Sequence, residues 1–442
     1  MSQPRLHPGQ GTTRLTALLG RQASKRSLER TRWVLMGLFT LNGLMFSSWL
    51  ARIPTVRDTL DLTTGQLGVV LLAGSIGSLA TATVSGILVT RYGGKIGLYL
   101  STAGFALAYV LLGLGPALGS VPVLAVGIFL IGVSFSIGNV PLNVETAAVE
   151  RRMGRTVLPQ FHAAFSIGAV LGSLVGAAAS HLEVSLLVQF AVTALVGTLW
   201  RLAAVPHAVL DSVPVRERVA VVDIDAGTPA PPARARGGVR SALDAWREPR
   251  TLLIGVVIMA AALSEGSAND WLALAVVDGF ERTEAVGAVV FGVFVGAMTL
   301  VRLLGTRLID RLGRVPVLRA SGVVSLVGLL LFGFAPTLEL ATLGVVGWGF
   351  GAALAVPLGI AAASDDPMRA AGRVAVVSTF SSVASLGAPP LLGLAAESMG
   401  ARHALVLITV AMVASVLLSR SVTPLLTSHG PATVRAGAPS PT

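Results

Sequence analysis

The stretch GILVTRYGGK at residues 86–95 returns at residues 306–315 as TRLIDRLGRV, so that Leu88, Arg91 and Gly93 fall on Leu308, Arg311 and Gly313. Upstream, LGVVLLAGSIGS (67–78) is matched by VGAVVFGVFVGA (286–297), and WLA at 49–51 recurs at 271–273. The offset stays between 219 and 222, the drift that small insertions produce. Self-similarity at one long, fixed offset marks a duplication. The chain therefore reads as two related halves, and each copy of the short basic motif joins two long apolar runs.

Those runs decide the solvent. Hydrophobic residues make up 53% of the 442, and only 12% are charged, against about 25% in an ordinary soluble domain. The mean hydropathy is +0.77, and so little charge cannot cover a water-facing surface. A spanning helix needs about 20 mostly apolar residues. Such runs occur at 33–51, 62–90, 96–144, 163–180 and 184–200. The run 96–144 is long enough for two helices, with a turn expected at 119–122. After a polar gap come 251–277, 285–301, 315–335, 340–364, 374–396 and 404–419. The runs are continuous instead of alternating, so helices, not a barrel, satisfy the backbone in hydrocarbon. The fold class expected is an all-α integral membrane protein with 12 transmembrane helices in two six-helix bundles.

The formal net charge of +11 raises nucleic acid as a partner, but its distribution argues against one. Seven Lys/Arg precede the first run, and the gaps 91–97, 145–160, 205–250, 305–319 and 365–373 hold two, three, seven, four and two. The alternate gaps are nearly bare. This positive-inside bias places both termini and the central loop in the cytoplasm. The layout expected is a disordered tail at 1–31, a first bundle at 32–204, a linker at 205–250, a second bundle at 251–422 and a tail at 423–442. The linker contains the Pro/Gly/Arg-rich TPAPPARARGG (228–238), and VRSALDAWREP (239–249) reads as a short amphipathic piece at the membrane surface. The first apolar run lacks a small-residue cleavage pattern and reads as a retained helix. The chain has no cysteine, hence no disulfide or thiolate metal site. No phosphate loop, metal cluster or nucleophile–base arrangement is evident, so neither an enzyme nor a cofactor is expected.

With twelve runs in two groups of six and a repeated basic loop, the sequence resembles the major facilitator superfamily over residues 32–422. The family's loop between helices 2 and 3 reads Gly-x-Leu-x-Asp-Arg-x-Gly-Arg-Arg/Lys. Here the first copy has Gly86, Leu88, Thr90, Arg91, Gly93, Gly94 and Lys95, and the second has Leu308, Asp310, Arg311, Gly313 and Arg314. The resemblance implies a gate on the cytoplasmic face, formed by Arg91, Gly93, Lys95, Asp310, Arg311, Gly313 and Arg314. A carboxylate beside guanidinium groups in a tight glycine turn makes charge-assisted hydrogen bonds. Thr90 stands where the aspartate is expected, and Gly94 replaces a basic residue, so the first latch is the weaker one. A narrower resemblance, carried by residues 141–177 and 264–273, points to a bacterial branch near the fucose-permease-like sugar transporters. The acid expected on helix 4 of that branch is Asn139 here, which puts proton coupling there in doubt. The helix 4 arginine and the helix 5 Gly-Pro of proton-driven drug antiporters are also absent. Helix 5 instead carries Gly168, Gly172 and Gly176, a spacing that permits close helix packing.

Charged groups at membrane depth are costly and mark function by default. Counted from residue 251, Glu265 lies 14 residues into helix 7. That is about 21 Å into an approximately 30 Å core, past the midplane of a helix running outward, and Asp270 falls near the outer surface. Three roles stay open for Glu265: proton coupling, direct substrate contact, or a structural partner for an arginine or a helix end. The resemblance implies that helices 1, 4, 7 and 10 line a central cavity. Asn42 and Trp49 on helix 1, Asn139 and Asn143 on helix 4, and Asn269, Asp270 and Trp271 on helix 7 are candidates for binding or coupling. Gln160 and His162 at the start of helix 5 join them, and Arg302 is an intramembrane candidate for an ion pair or a carbonyl contact. A serine-rich stripe on helix 11, from Ser378 to Ser385, reads as packing.

The function expected is secondary active transport of a small organic solute by alternating access across the cytoplasmic (inner) membrane, with protons a candidate coupling ion. The chain is expected to act as a monomer in the lipid bilayer. Within transport, an uncoupled facilitator or a drug or metabolite efflux pump is the alternative. Outside it, the alternative is a non-transporting receptor or scaffold on the same fold.

Overall fold

A computed structural model describes residues 9–154, 157–210, 244–366 and 369–424, with side chains from residue 27 onward except at 83, 90, 159 and 371. The TPAPPARARGG linker, residues 239–243 of the amphipathic segment and the tail beyond 424 lie outside them. Among the described residues the chain is helical, without a strand. The first half comprises α1 (Gly9–Leu50), α2 (Ile53–Thr59), α3 (Thr64–Tyr92), α4 (Gly94–Ala117), α5 (Val121–Met153), α6 (Leu158–His181) and α7 (Leu186–Ala208). The second comprises α8 (Pro249–Phe280), α9 (Glu284–Leu312), α10 (Arg314–Phe334), α11 (Leu338–Ala352), α12 (Ala355–Ala363), α13 (Ala370–Ala404) and α14 (Ile408–Leu417).

Eleven helical segments among the described residues are long and apolar enough to cross a bilayer. The last, Gly372–Val422, has 51 residues, about 76 Å of helix, more than twice the approximately 30 Å hydrocarbon. It bends at Gly400, whose φ of 78° interrupts the helix. α1 begins at Gly9, so the backbone of 9–31 is helical. After Pro8 this stretch is rich in good helix formers (Arg, Leu, Ala, Gln, Lys).

The duplication is visible in backbone geometry. Gly93 ends α3 and starts α4 at φ 87°, ψ 162°, and Gly313 does the same between α9 and α10 at φ 83°, ψ 162°. Only glycine adopts that conformation without strain, which explains why the motif keeps it twice. Further out, Asp61 and Glu281 take the left-handed conformation at φ 50° and 51° just before α3 and α9. Thr63 then caps α3 by accepting from the Gln66 N–H, while the Gln66 side chain accepts from the Thr63 N–H, the two-way cap that satisfies both orphan donors.

In the first half α1 packs on α6, and α4 on α5 and α7; in the second, α8 packs on α13 and α11 on both α9 and α10. The α1–α6 contact is backbone to backbone. A Cβ at Gly168 would meet the Thr40 carbonyl at 1.9 Å, and one at Gly172 the Leu44 carbonyl at 2.2 Å. Large apolar side chains such as Leu107, Leu195, Leu303, Val327 and Val410 stand exposed on the outside of the bundle, where lipid is the matching solvent.

The halves meet through α3 with α13, α6 with α9 and α2 with α8. Their polar cross-contacts gather at the end away from the termini. Arg52 and Glu284 pair at 3.3 Å, both nearly buried, and Glu284 also accepts from the Thr55 N–H at 2.8 Å. Arg57 bridges Asp58 and Asp278. Glu397 accepts from the Gly65 N–H at 3.2 Å. Midway, the Ser75 hydroxyl donates to the Ser385 carbonyl at 3.0 Å. The molecule is thus clamped at the far end.

Candidate functional site

Beneath that clamp lies a cavity of about 260 Å³ between the halves. α1 contributes Phe46 and Trp49, α3 Ser75 and Ser78, α5 Ile128, Gly132 and Phe135, α8 Gly266, Asn269 and Asp270, and α13 Ser385 and Pro389. Residues 128, 132 and 135 share one face of α5, and Asn139 and Asn143 extend it by one and two turns toward the termini. Both amides are exposed, and the Asn143 Nδ2 donates to the Asn139 Oδ1 at 3.0 Å. His162 is exposed on the face of α6 that carries Val170, the residue opposite Gly296 of α9, and it lies within electrostatic reach of Arg302.

Glu265 and Arg302 form an ion pair, Oε2 to Nη2, at 2.8 Å. The same guanidinium donates through Nε to the Ala353 carbonyl at 3.2 Å. That carbonyl is available for a covalent reason. The residue four positions on is Pro357, which has no N–H, so the helix must break or find another donor. It does both: the chain leaves helical form between α11 and α12 at Ala353–Leu354, and Arg302 supplies the donor. Arg302 therefore ties α9 to the middle of α8 and to the break between α11 and α12. Arg302 thus makes an ion pair and a carbonyl contact at once.

Five placements differ from expectation. α8 starts at Pro249 and ends at Phe280, so Glu265 lies at its centre and not past it. For the same reason Asp270 sits ten residues inside the helix end, on the cavity wall and not near the outer surface. Gln160 is turned away from the cavity: its Oε1 accepts from Arg32 Nη2 at 2.5 Å, because α6 already begins at Leu158 and carries residue 160 to the termini end. Trp271, an expected cavity residue, is buried against α13, where Gly393 leaves room for its ring. Asn42 faces α7 and accepts from Arg201. Arg201 escaped the sequence reading because the apolar run ends at Trp200; the helix continues to Ala208, and the guanidinium is buried over the Phe105 ring, 4.4 Å from its centroid.

The gating loops hold a different pairing from the one expected. Arg314 bonds Asp365 at 2.6 Å, and Arg250 bonds the same carboxylate at 2.9 Å. Asp310 and Arg311 are exposed, and Arg91 stacks over Tyr92 at 5.4 Å. The second-half latch closes within its own half, onto the end of α12, while the halves are clamped at the opposite end. Nearby, Glu248 accepts from Arg373 at 2.6 Å and Arg369 at 3.1 Å, and the Arg373 hydrogen bond holds its carboxyl below the usual carboxylate range. The helix 11 serines mostly bond their own helix, as Ser382 to the Ser378 carbonyl at 3.1 Å.

Comparison with known proteins matches this architecture. A family model described as Major Facilitator Superfamily matches residues 3–158, 160–375 and 254–436. The chain is 32% identical over 378 residues to an uncharacterized transporter, y4wD, of Sinorhizobium fredii, covering 85% of this chain and 93% of that protein. Among solved structures, the nucleoside transporter NupG superposes with a TM-score of 0.68 at 15% identity, covering 89% of this chain and 98% of that one. FucP, a transporter of the same superfamily in the outward conformation, gives 0.54 at 15% identity over 87% and 98%. These likenesses to solved structures show the fold.

Proposed function

The chain belongs to the major facilitator superfamily, a family of membrane transporters and not of enzymes, and on that premise we propose that it carries a small polar organic solute by alternating access. The observation that carries the reading is the cavity between the halves, shut at one end by Arg52–Glu284 and Arg57–Asp278 and continued toward the other by the exposed Asn139, Asn143 and His162. Counting the two limbs of Gly372–Val422 separately gives twelve crossings, in bundles at 32–204 and 251–422 joined by the 205–250 linker. The positive-inside bias then places the termini in the cytoplasm, the membrane is the cytoplasmic one, and the arrangement described is the inward-open state.

Of the structural neighbours, NupG is by name a nucleoside transporter and FucP a fucose:proton symporter, and a hydroxylated solute suits the amides of Asn139, Asn143 and Asn269. Energy comes from a solute or proton gradient. The Glu265–Arg302 pair favours a coupled mechanism: a proton on Glu265 cancels the charge that holds Arg302, leaving it on the Ala353 carbonyl alone. Counterflow in proteoliposomes tests transport, and a chain that exchanges no candidate solute from a panel of sugars, nucleosides and amino compounds is not a transporter. For coupling, Glu265→Gln is expected to abolish proton-driven accumulation and spare counterflow.

A further inference from the structure

The cavity contains a carboxylate with no counter-charge. The Glu265 charge is met by Arg302 at 2.8 Å. Asp270, on the next turn of α8, lines the cavity and has no hydrogen-bond donor or cation among the described residues. A carboxylate at this depth is costly unless something neutralises it, so the fold holds in its central cavity an acid to which its own described residues bring no counter-charge.

Three species can meet it: a metal ion, a proton or an organic cation. A divalent metal is disfavoured by the donors. Calcium takes six to eight oxygen ligands, whereas no group of three or more His, Asp, Glu or Cys side chains fit for a metal occurs among the described residues, and the Ser75 hydroxyl already donates to the Ser385 carbonyl. A proton alone would neutralise Asp270 but would use none of the rest of the wall. That wall carries three aromatic rings from the opposite half, Phe46, Trp49 and Phe135, and aromatic faces attract organic ammonium groups. Asn269 beside Asp270 adds a donor and an acceptor suited to a hydroxyl. The volume of about 260 Å³ leaves room for a small organic solute.

We infer that the cavity takes a small hydroxylated solute bearing a protonated amine, with Asp270 as its counter-ion and the Phe46, Trp49 and Phe135 rings around the ammonium group. This rests on the transport reading, in that it names the solute class of the same chamber. The charge-assisted bond forms across the interface between halves, so the ligand joins α8 to α1 and α5.

The test is binding to the full chain purified in detergent, measured by titration calorimetry with two amines beside neutral matches: glucosamine with glucose and N-acetylglucosamine, and ethanolamine with ethylene glycol. At least one amine is expected to bind about tenfold or more tighter than its neutral match, the discrimination a charge-assisted hydrogen bond supplies. Asp270→Asn should erase that preference, and Asp270→Glu should retain part of it. Equal binding of amines and neutral matches to the unaltered chain overturns the inference, as does an amine preference that survives Asp270→Asn. So does proton release that depends on Asp270 without amine preference. The first comparison needs no variant, so misfolding of Asp270→Asn does not blunt it. Counterflow of labelled glucosamine and glucose separates the two readings. Amine binding without exchange of any solute sinks transport and leaves the site, whereas exchange of glucose without amine preference sinks the site and leaves transport.

Discussion

Arg302 holds Glu265 at 2.8 Å and the Ala353 carbonyl at 3.2 Å with one guanidinium, so a single side chain joins three membrane helices. The two partners are unequal in what they lose. Glu265→Gln removes a charge but leaves a hydrogen-bonding group opposite an arginine that keeps the carbonyl. Arg302→Ala strands a carboxylate and reopens the gap that Pro357 left. Thermal melting in detergent is expected to fall more for Arg302→Ala than for Glu265→Gln. The reverse order would mean that the carbonyl contact contributes nothing.

At the far end, Glu284 holds both Arg52 and the Thr55 N–H. Glu284→Ala leaves the buried Arg52 uncompensated, a loss of about 3–5 kcal/mol for a buried pair broken from one side, and the loss falls on the closed clamp alone. The population should shift toward opening there. The chain has no cysteine, so Ser75→Cys is a clean reporter. Its labelling by an impermeant maleimide added from outside should accelerate when Glu284→Ala is combined with it. An unchanged labelling rate would show that the pair does not hold the clamp shut.

Asn42 and Arg201 invite a comparison of opposite kind. Arg201→Met replaces a buried cation by an apolar chain of similar length and leaves only the neutral Asn42 amide without its partner, a smaller penalty than an unpaired charge. Asn42→Leu leaves the guanidinium in place and removes its acceptor. Fluorescence-detected gel filtration after heating should show Asn42→Leu losing more folded protein than Arg201→Met.

These placements mark where the sequence was legible. The repeat identified both glycine turns, because a positive φ imposes one residue type wherever it recurs, and Gly93 and Gly313 take the same φ and ψ. The spacing of Gly168 and Gly172 identified the packing face of α6. Helix ends were harder to read. Runs trimmed at charged residues came out short, so Arg201 fell outside its helix and Asp270 was placed too near the surface. The pairings were not readable at all. Glu265, Arg302 and Ala353 stood out separately or not at all, but which polar group meets which depends on how three helices cross. The clamp residues Arg52, Arg57, Asp278 and Glu284 went unnoticed as partners for the same reason.

Gly172→Val is expected to abolish the folded state, since its Cβ would lie 2.2 Å from the Leu44 carbonyl and backbone cannot yield as a side chain does; overpacking costs about 1–3 kcal/mol or more. Gly266→Ala is the control. Nothing lies within 4 Å of its Cβ position, and alanine gains up to about 1 kcal/mol of helix propensity. A melting temperature unchanged or raised for Gly266→Ala, with no folded Gly172→Val, meets the expectation.

Glu248 gives a pH signature on the termini side. Its carboxyl is held below the ordinary value of 4.5 by the Arg373 hydrogen bond. A depressed folded-state value means stability that is present above the unfolded value and lost as pH falls through the folded one. The melting temperature should therefore decline on acidification below about 4.5, and Glu248→Gln should be lower at neutral pH and flatter through that range. Parallel curves for the two proteins would exclude the pair as a contributor.

The glycine face of α6 has a mechanical corollary. Where Gly168 and Gly172 rest on the carbonyls of Thr40 and Leu44, no layer of side chains separates the two helices, so nothing there can shear or rotate by small amounts. α1 and α6 form one stiff strut, with Phe46 and Trp49 of the cavity wall on one member and His162 on the other. Any displacement felt at Trp49 is delivered undamped to the surface that α6 shares with α9, and compliance has to come from the other joints of the molecule.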